Sequence, residues 1–211
     1  MKTYRQIVSG LCGLCFLLFN LPVLAQTTAG DFKTMFTGTS SKTVYVGSTS
    51  DSLVPTTGFG TNQIAAKRLN IGDQYQLLMN GYATLGSNNA SSTVTIKVKA
   101  GKYTIANTQA MLLSSNSPPY VPVIPWKLEC LVTCRTNGAT GFVIGQGQFQ
   151  IQNWENKTNY ISYPLTNIHG LIVSTLTNIP VDVTCTYTDL GLGTHGTNNF
   201  TTLQTWIGLT R

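Results

Sequence analysis

The fold is decided by the stretch Trp126-Lys127-Leu128-Glu129-Cys130-Leu131-Val132-Thr133-Cys134-Arg135. Apolar side chains take every second position from Trp126 to Cys134, and charged or hydroxyl side chains take most of the positions between them. A period of two predicts a strand with one face in a core and the other near water. Turn-forming residues follow at 136–141, and a second strand-like run begins at Phe142. This part of the chain therefore predicts a β-hairpin.

The same pattern recurs along most of the chain. Strand-like segments occupy residues 74–84, 93–99, 103–105, 110–113, 142–151, 170–174, 180–188 and 200–209. About eight to ten short strands with turns between them predict an all-β fold, and this number of strands suits a single jelly-roll β-sandwich. An immunoglobulin-like sandwich is the alternative. It is disfavoured because Trp126 shares a strand with Cys130 instead of lying between two cysteine-bearing strands.

Residues 1–25 have the layout of a secretory signal peptide. Lys2 and Arg5 precede an apolar run, and small residues end at Ala25, before the expected cleavage at Gln26. The mature protein is therefore expected to be secreted, extracellular or on a virion surface, with no membrane attachment after cleavage. An uncleaved membrane anchor is the alternative, and Asn20 and Pro22 disfavour it because they interrupt the apolar run.

The remaining chain divides into two parts. Residues 26–61 are rich in Ser, Thr and Gly and predict an N-terminal arm that adds a strand or meets a neighbouring subunit. Residues 62–211 carry the regular strands and predict the jelly-roll domain. A mature chain of about 185 residues is long enough for one substantial core.

The charge pattern argues against a nucleic-acid partner. The formal net charge is +6, and removal of Lys2 and Arg5 with the signal peptide lowers it to +4. Only Lys97, Lys99 and Lys102 form a local basic group. A solvated strand face explains this group, because lysines on such a face also discourage edge pairing. A polyanion-binding stripe is the alternative, but such footprints usually concentrate more charge.

Three cysteines remain after signal cleavage, namely Cys130, Cys134 and Cys185. Cys130 and Cys134 lie about 13 Å apart on an extended strand, whereas a disulfide needs Cα atoms within about 7 Å. In an oxidising compartment we expect one of the two to bridge to Cys185. Three reduced cysteines in the core are the alternative. No cysteine pair has the spacing of a zinc site, so no metal is expected.

No catalytic constellation is evident, so the protein is expected to be no enzyme and to need no cofactor. Glu129 and Asp182 take outward positions on their strands, and nothing in the sequence brings Glu129 and Glu155 together as a glycosidase pair. His195 lies in a polar loop without a Gly-x-Ser-x-Gly motif to support it. An all-β hydrolase is therefore the least favoured alternative, because paired acids are missing.

Binding is expected at loops, where sandwich proteins usually carry recognition residues. The predicted loops are residues 86–92, 114–125, 153–160 and 188–199. Tyr120, Trp154 and Tyr160 lie in or beside them and are of the type that stacks on sugars or anchors a protein partner. Ordinary packing at the rim is the alternative. Trp126 and Trp206 are expected in the core.

Three glycosylation sequons begin at Asn89, Asn156 and Asn199. Each falls in or beside a predicted loop, which is where glycosylation requires its acceptor. In an Asn- and Thr-rich chain such triplets also arise by chance. These sequons are relevant only if the protein is made in a eukaryotic host.

Several of these segments together resemble a recurrent virion domain. Residues 67–77 (KRLNIGDQYQL), 93–101 (TVTIKVKAG), the Trp126 strand and 136–141 (TNGATG) are similar to jelly-roll domains of tailed-phage and large DNA virus fibres, spikes and capsid decorations. The resemblance covers residues 63–211 and its motifs are structural. It implies a non-enzymatic, homotrimeric structural or attachment protein that binds a glycan or protein receptor. A cleavable signal peptide departs from this resemblance, because it is unusual for a phage structural protein that assembles in the cytoplasm. A monomeric secreted carbohydrate-binding module is the alternative function.

Overall fold

The computed structural model describes residues 33–45, 47–84, 91–114, 123–153, 158–167, 170–189 and 199–210. All regular structure in these residues is β-strand, in fifteen strands and without a helix. The strands are β1 (Lys33–Gly38), β2 (Lys42–Tyr45), β3 (Gly47–Ser52), β4 (Gly58–Gly60), β5 (Gln63–Ile64), β6 (Gln74–Thr84), β7 (Ser91–Ala100), β8 (Tyr103–Asn107), β9 (Met111–Ser114), β10 (Val123–Thr136), β11 (Phe142–Gln152), β12 (Tyr160–Thr166), β13 (Leu171–Ile172), β14 (Ile179–Asp189) and β15 (Asn199–Thr210). The predicted all-β class is confirmed.

The strands form one curled antiparallel sheet, whose order is β3-β14-β7-β8-β12-β11-β10-β6-β15-β1-β4. Four short strands pair outside this path: β2 with β15, β5 with β14, β9 with β7 and β13 with β11. The two ends of the path, β3 and β4, are consecutive in the chain and are joined by residues 53–57. Leu53 and Val54 in this link are buried. The link therefore ties both ends of the sheet to one core, in a sandwich-like arrangement.

The β10–β11 hairpin confirms the prediction from the deciding stretch. Its register runs from Trp126 opposite Ile151 to Thr136 opposite Phe142. Trp126, Cys130 and Cys134 are each at most 2% exposed, whereas the charged side chains between them are exposed. Alternation along β10 therefore separates a core face from a solvent face, as a period of two requires.

Three aromatic rings form the centre of the described core. The Trp126 ring centroid lies 5.8 Å from that of Phe149 and 6.1 Å from that of Phe200, and the latter two are 6.4 Å apart. Contacts at these distances stabilise a core beyond the burial of area alone. Two polar atoms in this core, the Tyr75 hydroxyl and Trp126 Nε1, have no hydrogen-bond partner among the described residues.

The described part of the predicted N-terminal arm belongs to the sheet. β1 and β2 both pair with β15, and β3 pairs with β14. Phe36 and Val44 are buried in the common core. Residues 31–211 form one compact unit, so the arm adds strands to the sheet of its own chain.

The predicted disulfide is absent from the structure, in which Cys130, Cys134 and Cys185 are buried free thiols. Cys185 on β14 lies opposite Ile96 and Asp51 of its two neighbours, and Cys130 on β10 lies opposite Leu77 and Gly147. Neither position has a cysteine as its cross-strand neighbour.

Burial controls the chemistry of these thiols. It raises the pKa of Cys130 and of Cys185 to about 12, and a nearby Asp51 carboxylate adds to the increase for Cys185. Burial also raises the pKa of Cys134, whose Sγ donates a hydrogen bond to the Thr136 carbonyl oxygen at 3.2 Å. All three are therefore neutral core side chains at neutral pH.

The predicted signal peptide, residues 1–25, lies outside the described residues. Within the described part of the chain, no helix is long and apolar enough to cross a membrane.

Candidate binding face

The solvent-facing side of β15, β6, β10, β11 and β12 forms a continuous surface, here called the outer face. The strand registers arrange its side chains in three rows across the strands. The first row is Gln204–Asn80–Lys127–Gln150–Ser162. The second row is Trp206–Leu78–Glu129–Gln148–Pro164. The third row is Gly208–Gln76–Leu131–Gln146–Thr166.

Amide side chains dominate these rows. On β11, glutamine occupies every second position from Gln146 to Gln152, between residues that face inward. The sequence 146–152 (QGQFQIQ) therefore carries a visible signal of this face, which the aromatic residues of the loops do not give. Six amides lie within the three rows, on β15, β6 and β11: Gln76, Asn80, Gln146, Gln148, Gln150 and Gln204.

Some of these amides hold one another in place. Asn80 Nδ2 donates to Gln204 Oε1 at 2.8 Å across β6 and β15. Gln148 Oε1 accepts from Gln150 Nε2 at 3.0 Å and from the Ser162 hydroxyl at 3.2 Å. These contacts fix side chains at the edges of the amide array.

Other groups at the centre keep their hydrogen-bonding capacity. Gln76, Gln146 and Glu129 form no side-chain hydrogen bond with any other described residue. An amide offers two donors and one acceptor oxygen, and a carboxylate offers acceptors only. The centre of the outer face can therefore both donate to and accept from a polar ligand.

Two hollows meet at Glu129. One has a volume of about 520 Å³ and is lined by Leu78, Lys127, Glu129 and Trp206 among others. The second has a volume of about 350 Å³, and its lining includes Gln76, Glu129 and Gln146. Together they form what we call the cross-strand groove. The groove runs from β15 to β11, a span of about 15 Å at the usual strand spacing of about 4.8 Å.

Trp206 lies in the groove because β15 contains a bulge. The β15–β6 register shifts between Thr202 and Gln204. Phe200 and Thr202 are buried before the shift, and Thr205, Ile207 and Leu209 are buried after it. The phase reversal places Trp206 on the outer face, half-buried, where Nε1 donates to Thr34 Oγ1 at 3.4 Å. The expectation of a core position is wrong for Trp206, whereas Trp126 is in the core as predicted.

The outer face is electrically balanced. Lys127 and Glu129 are the only ionisable residues in its three rows, and they lie two positions apart on β10. Their formal charges cancel. The basic group predicted from the sequence lies elsewhere: Lys99 is opposite Asp182 on β14, and Lys102 Nζ lies 5.2 Å from the Tyr103 ring centroid.

The rows supply only one carboxylate. Asp182 lies on β14, outside the outer face, where Oδ1 accepts from the Ser52 hydroxyl at 2.6 Å and from the Val183 amide at 2.8 Å. Glu155 and His195 lie outside the described residues. No group of three or more His, Cys, Asp or Glu side chains that could hold a metal ion occurs in the described part of the chain.

The structure describes two of the predicted site residues outside the core. Tyr160 begins β12 opposite Gln152 and is 49% exposed, at the border of the outer face. Asn199 begins β15, paired with Thr84 and Tyr45, and is half-buried. Tyr120, Trp154, Asn89 and Asn156 lie outside the described residues.

The strand ends that flank the predicted binding loops lie together. Thr84 is opposite both Val123 and Asn199, at the junctions with three of the four loops. Gln152 and Tyr160 are opposite each other at the fourth. Along their strands, Gln152 and Tyr160 are two residues from the first row of the outer face, and Thr84 is four residues from it.

A third hollow, of about 770 Å³, lies at the sheet edge between β1, β4 and β5. It is lined partly by Lys33 and Arg68, and Arg68 already takes part in another interaction.

Comparison of the chain with protein-family models, with curated proteins and with solved structures found no match.

Proposed function

We propose that this chain is a non-enzymatic attachment protein that binds a glycan or protein receptor at a surface. In this proposal residues 1–25 are cleaved, the secreted or virion-exposed product is a jelly-roll domain, and copies associate as a homotrimer. The jelly roll is supported by one curled antiparallel sheet around a single core. The trimer rests on the resemblance to virion domains.

One observation carries the binding function: an exposed sheet face with uncommitted amides at its centre. Exposed polar groups that converge on a hollow, with a few apolar side chains beside them, are the usual composition of a binding site. Gln76, Gln146 and Glu129 provide the polar groups, and Leu78 and Trp206 provide the apolar part.

A monomeric secreted carbohydrate-binding module is the second candidate. It is favoured by the fact that a single chain supplies all three rows of the outer face. A binding site that needs no neighbouring copy can function without assembly.

Light scattering after size-exclusion chromatography of the secreted protein, combined with a glycan array and a cell-surface binding assay, separates the candidates. Three times the chain mass with binding to glycans or cells supports the attachment protein. A single chain mass with glycan binding supports the carbohydrate-binding module. Absence of binding to every glycan and every cell surface tested contradicts both.

A further inference from the structure

We infer that the cross-strand groove binds an uncharged, linear glycan that lies across the strands, in contact with Trp206 and hydrogen-bonded by Gln76 and Gln146. This inference rests on the proposed binding function and specifies its site and ligand class. The ligand would then bind at the middle of the sheet, whereas the sequence predicts binding at the loops.

The direction of the ligand follows from the register. Trp206, Leu78, Glu129 and Gln148 lie on four successive strands in one row, so the groove crosses the strands instead of following them. Each of the four strands also contributes a polar side chain to the lining, namely Gln204, Gln76, Glu129 and Gln146, and neighbouring strands are about 4.8 Å apart. Donors and acceptors spread across the strands in this way fit a chain molecule with hydroxyl groups on each repeating unit.

A peptide strand does not fit this surface. β15, β6, β10 and β11 each have hydrogen-bonded neighbours on both sides, so the groove offers no free strand edge for pairing. Binding by strand addition needs such an edge. An amphipathic helix needs an apolar groove, whereas the walls here carry Gln76, Asn80, Gln146 and Glu129.

A polyanion does not fit either. Nucleic acids and sulfated glycans are held mainly by several Lys or Arg side chains, and the three rows contain Lys127 alone, with Glu129 beside it. A balanced face with uncommitted amides matches a neutral polyhydroxylated ligand, because each hydroxyl can both donate to and accept from an amide.

Trp206 supplies the apolar part of the contact. Its Nε1 is held by Thr34 Oγ1 at 3.4 Å, and the residue lines the larger hollow with Leu78. Large aromatic side chains with a fixed orientation bind at low cost in conformational entropy. The C–H face of a sugar ring can pack on the indole while its hydroxyls reach the amides.

The test uses the whole chain as it is secreted, with laminarin, mannan and xylan as uncharged probes and heparin as the charged probe. Affinity is measured by isothermal titration for the unaltered protein and for Trp206→Ala, Gln146→Ala and Tyr160→Ala. Gln63→Ala is the matched control, since Gln63 is an exposed amide on β5, outside the groove. We expect at least one uncharged probe to bind, with affinity reduced by about tenfold or more in Trp206→Ala and about fivefold in Gln146→Ala, and unchanged in Gln63→Ala.

Circular dichroism and the melting temperature of each variant establish that it is folded. Where Trp206→Ala fails to fold, Trp206→Phe and Gln146→Ala carry the test. Binding that is unchanged in the groove variants, or that is confined to heparin, overturns the inference and leaves the proposed function standing. Binding that is lost in Tyr160→Ala alone assigns recognition to the loop border and also overturns it. Absence of binding to every glycan overturns the inference, and the cell-surface assay then decides the proposed function.

Discussion

Gly81 lies beneath the indole of Trp126, opposite it in the β6–β10 register. A Cβ atom at position 81 would come within 2.8 Å of Trp126 Cζ2 and would overlap the Thr201 carbonyl oxygen. The absence of a side chain at this position is therefore what allows β15, β6 and the aromatic centre to approach one another.

Gly81→Ala is expected to destabilise the protein by about 1–3 kcal/mol, because the added methyl group forces the indole or the β15 backbone to move. Urea unfolding measures the effect. Thr84→Ala, on the outer side of the same strand, is the control and should change stability by less than about 0.5 kcal/mol. Equal stability of Gly81→Ala and the unaltered protein would show that the core is looser here than described.

Tyr75→Phe is expected to leave the free energy of unfolding unchanged or to raise it, by up to about 1–3 kcal/mol. The Tyr75 hydroxyl is buried without a hydrogen-bond partner among the described residues, and a buried unsatisfied polar group costs free energy of this order. Urea unfolding again gives the value, with the exposed Tyr160→Phe as control. A clear loss of stability in Tyr75→Phe would reveal a partner for this hydroxyl, such as an internal water.

The three core cysteines are expected to resist alkylation by iodoacetamide at pH 8 in the folded protein and to react when it is unfolded without reductant. Burial keeps them neutral, and only the thiolate is nucleophilic. Mass spectrometry of the peptides that contain Cys130, Cys134 and Cys185 reads each site separately. If Cys185 and one partner stay unlabelled until reductant is added, the protein contains the bridge that the sequence favours.

Stability is expected to fall as the pH rises from about 9 towards 12. Burial raises the pKa of Cys130 and Cys185 to about 12 in the folded state, whereas the thiols of the unfolded chain ionise near pH 9. Below pH 9 the contribution of these thiols to stability is fully present, and between the two pKa values it declines by about 1.4 kcal/mol per pH unit for each thiol.

Urea unfolding at pH 8, 9.5 and 10.5 measures this decline. The variant Cys130→Ala/Cys185→Ala lacks both groups, so its stability should depend less steeply on pH. Identical slopes for the variant and the unaltered protein would contradict the assignment to these thiols.

Local alternation was enough to predict the strands that carry large apolar side chains. β6, β7, β10, β11 and β14 appear in the sequence because one face of each is buried. β3 (GSTSDS) and β4 (GFG) have no such pattern. They are strands because β14 and β1 offer them hydrogen-bonding edges, and that information lies far away in the chain.

In the candidate site too, the local sequence predicts some residues, and others depend on distant strand pairing. The alternating glutamines of β11 could be read from residues 146–152, but the position of Trp206 depends on the bulge next to Leu203. Uninterrupted alternation from Phe200 would put Trp206 in the core. Ile207 and Leu209 are apolar at odd positions, whereas Phe200 is apolar at an even one. This change was the only local sign that one extra residue exchanges the buried and exposed sides of β15.

β1, β2 and β3 are synthesised early, but their pairing partners are synthesised late: β1 and β2 pair with β15, and β3 pairs with β14. The strands that leave the ribosome first are held by those that leave it last. Before residues 179–210 have emerged, the only partner within the described residues that residues 33–52 have is the three-residue strand β4, which pairs with β1. Folding of this chain is then a late, post-translational event, limited by the search for distant contacts and slower than that of helical proteins of similar size.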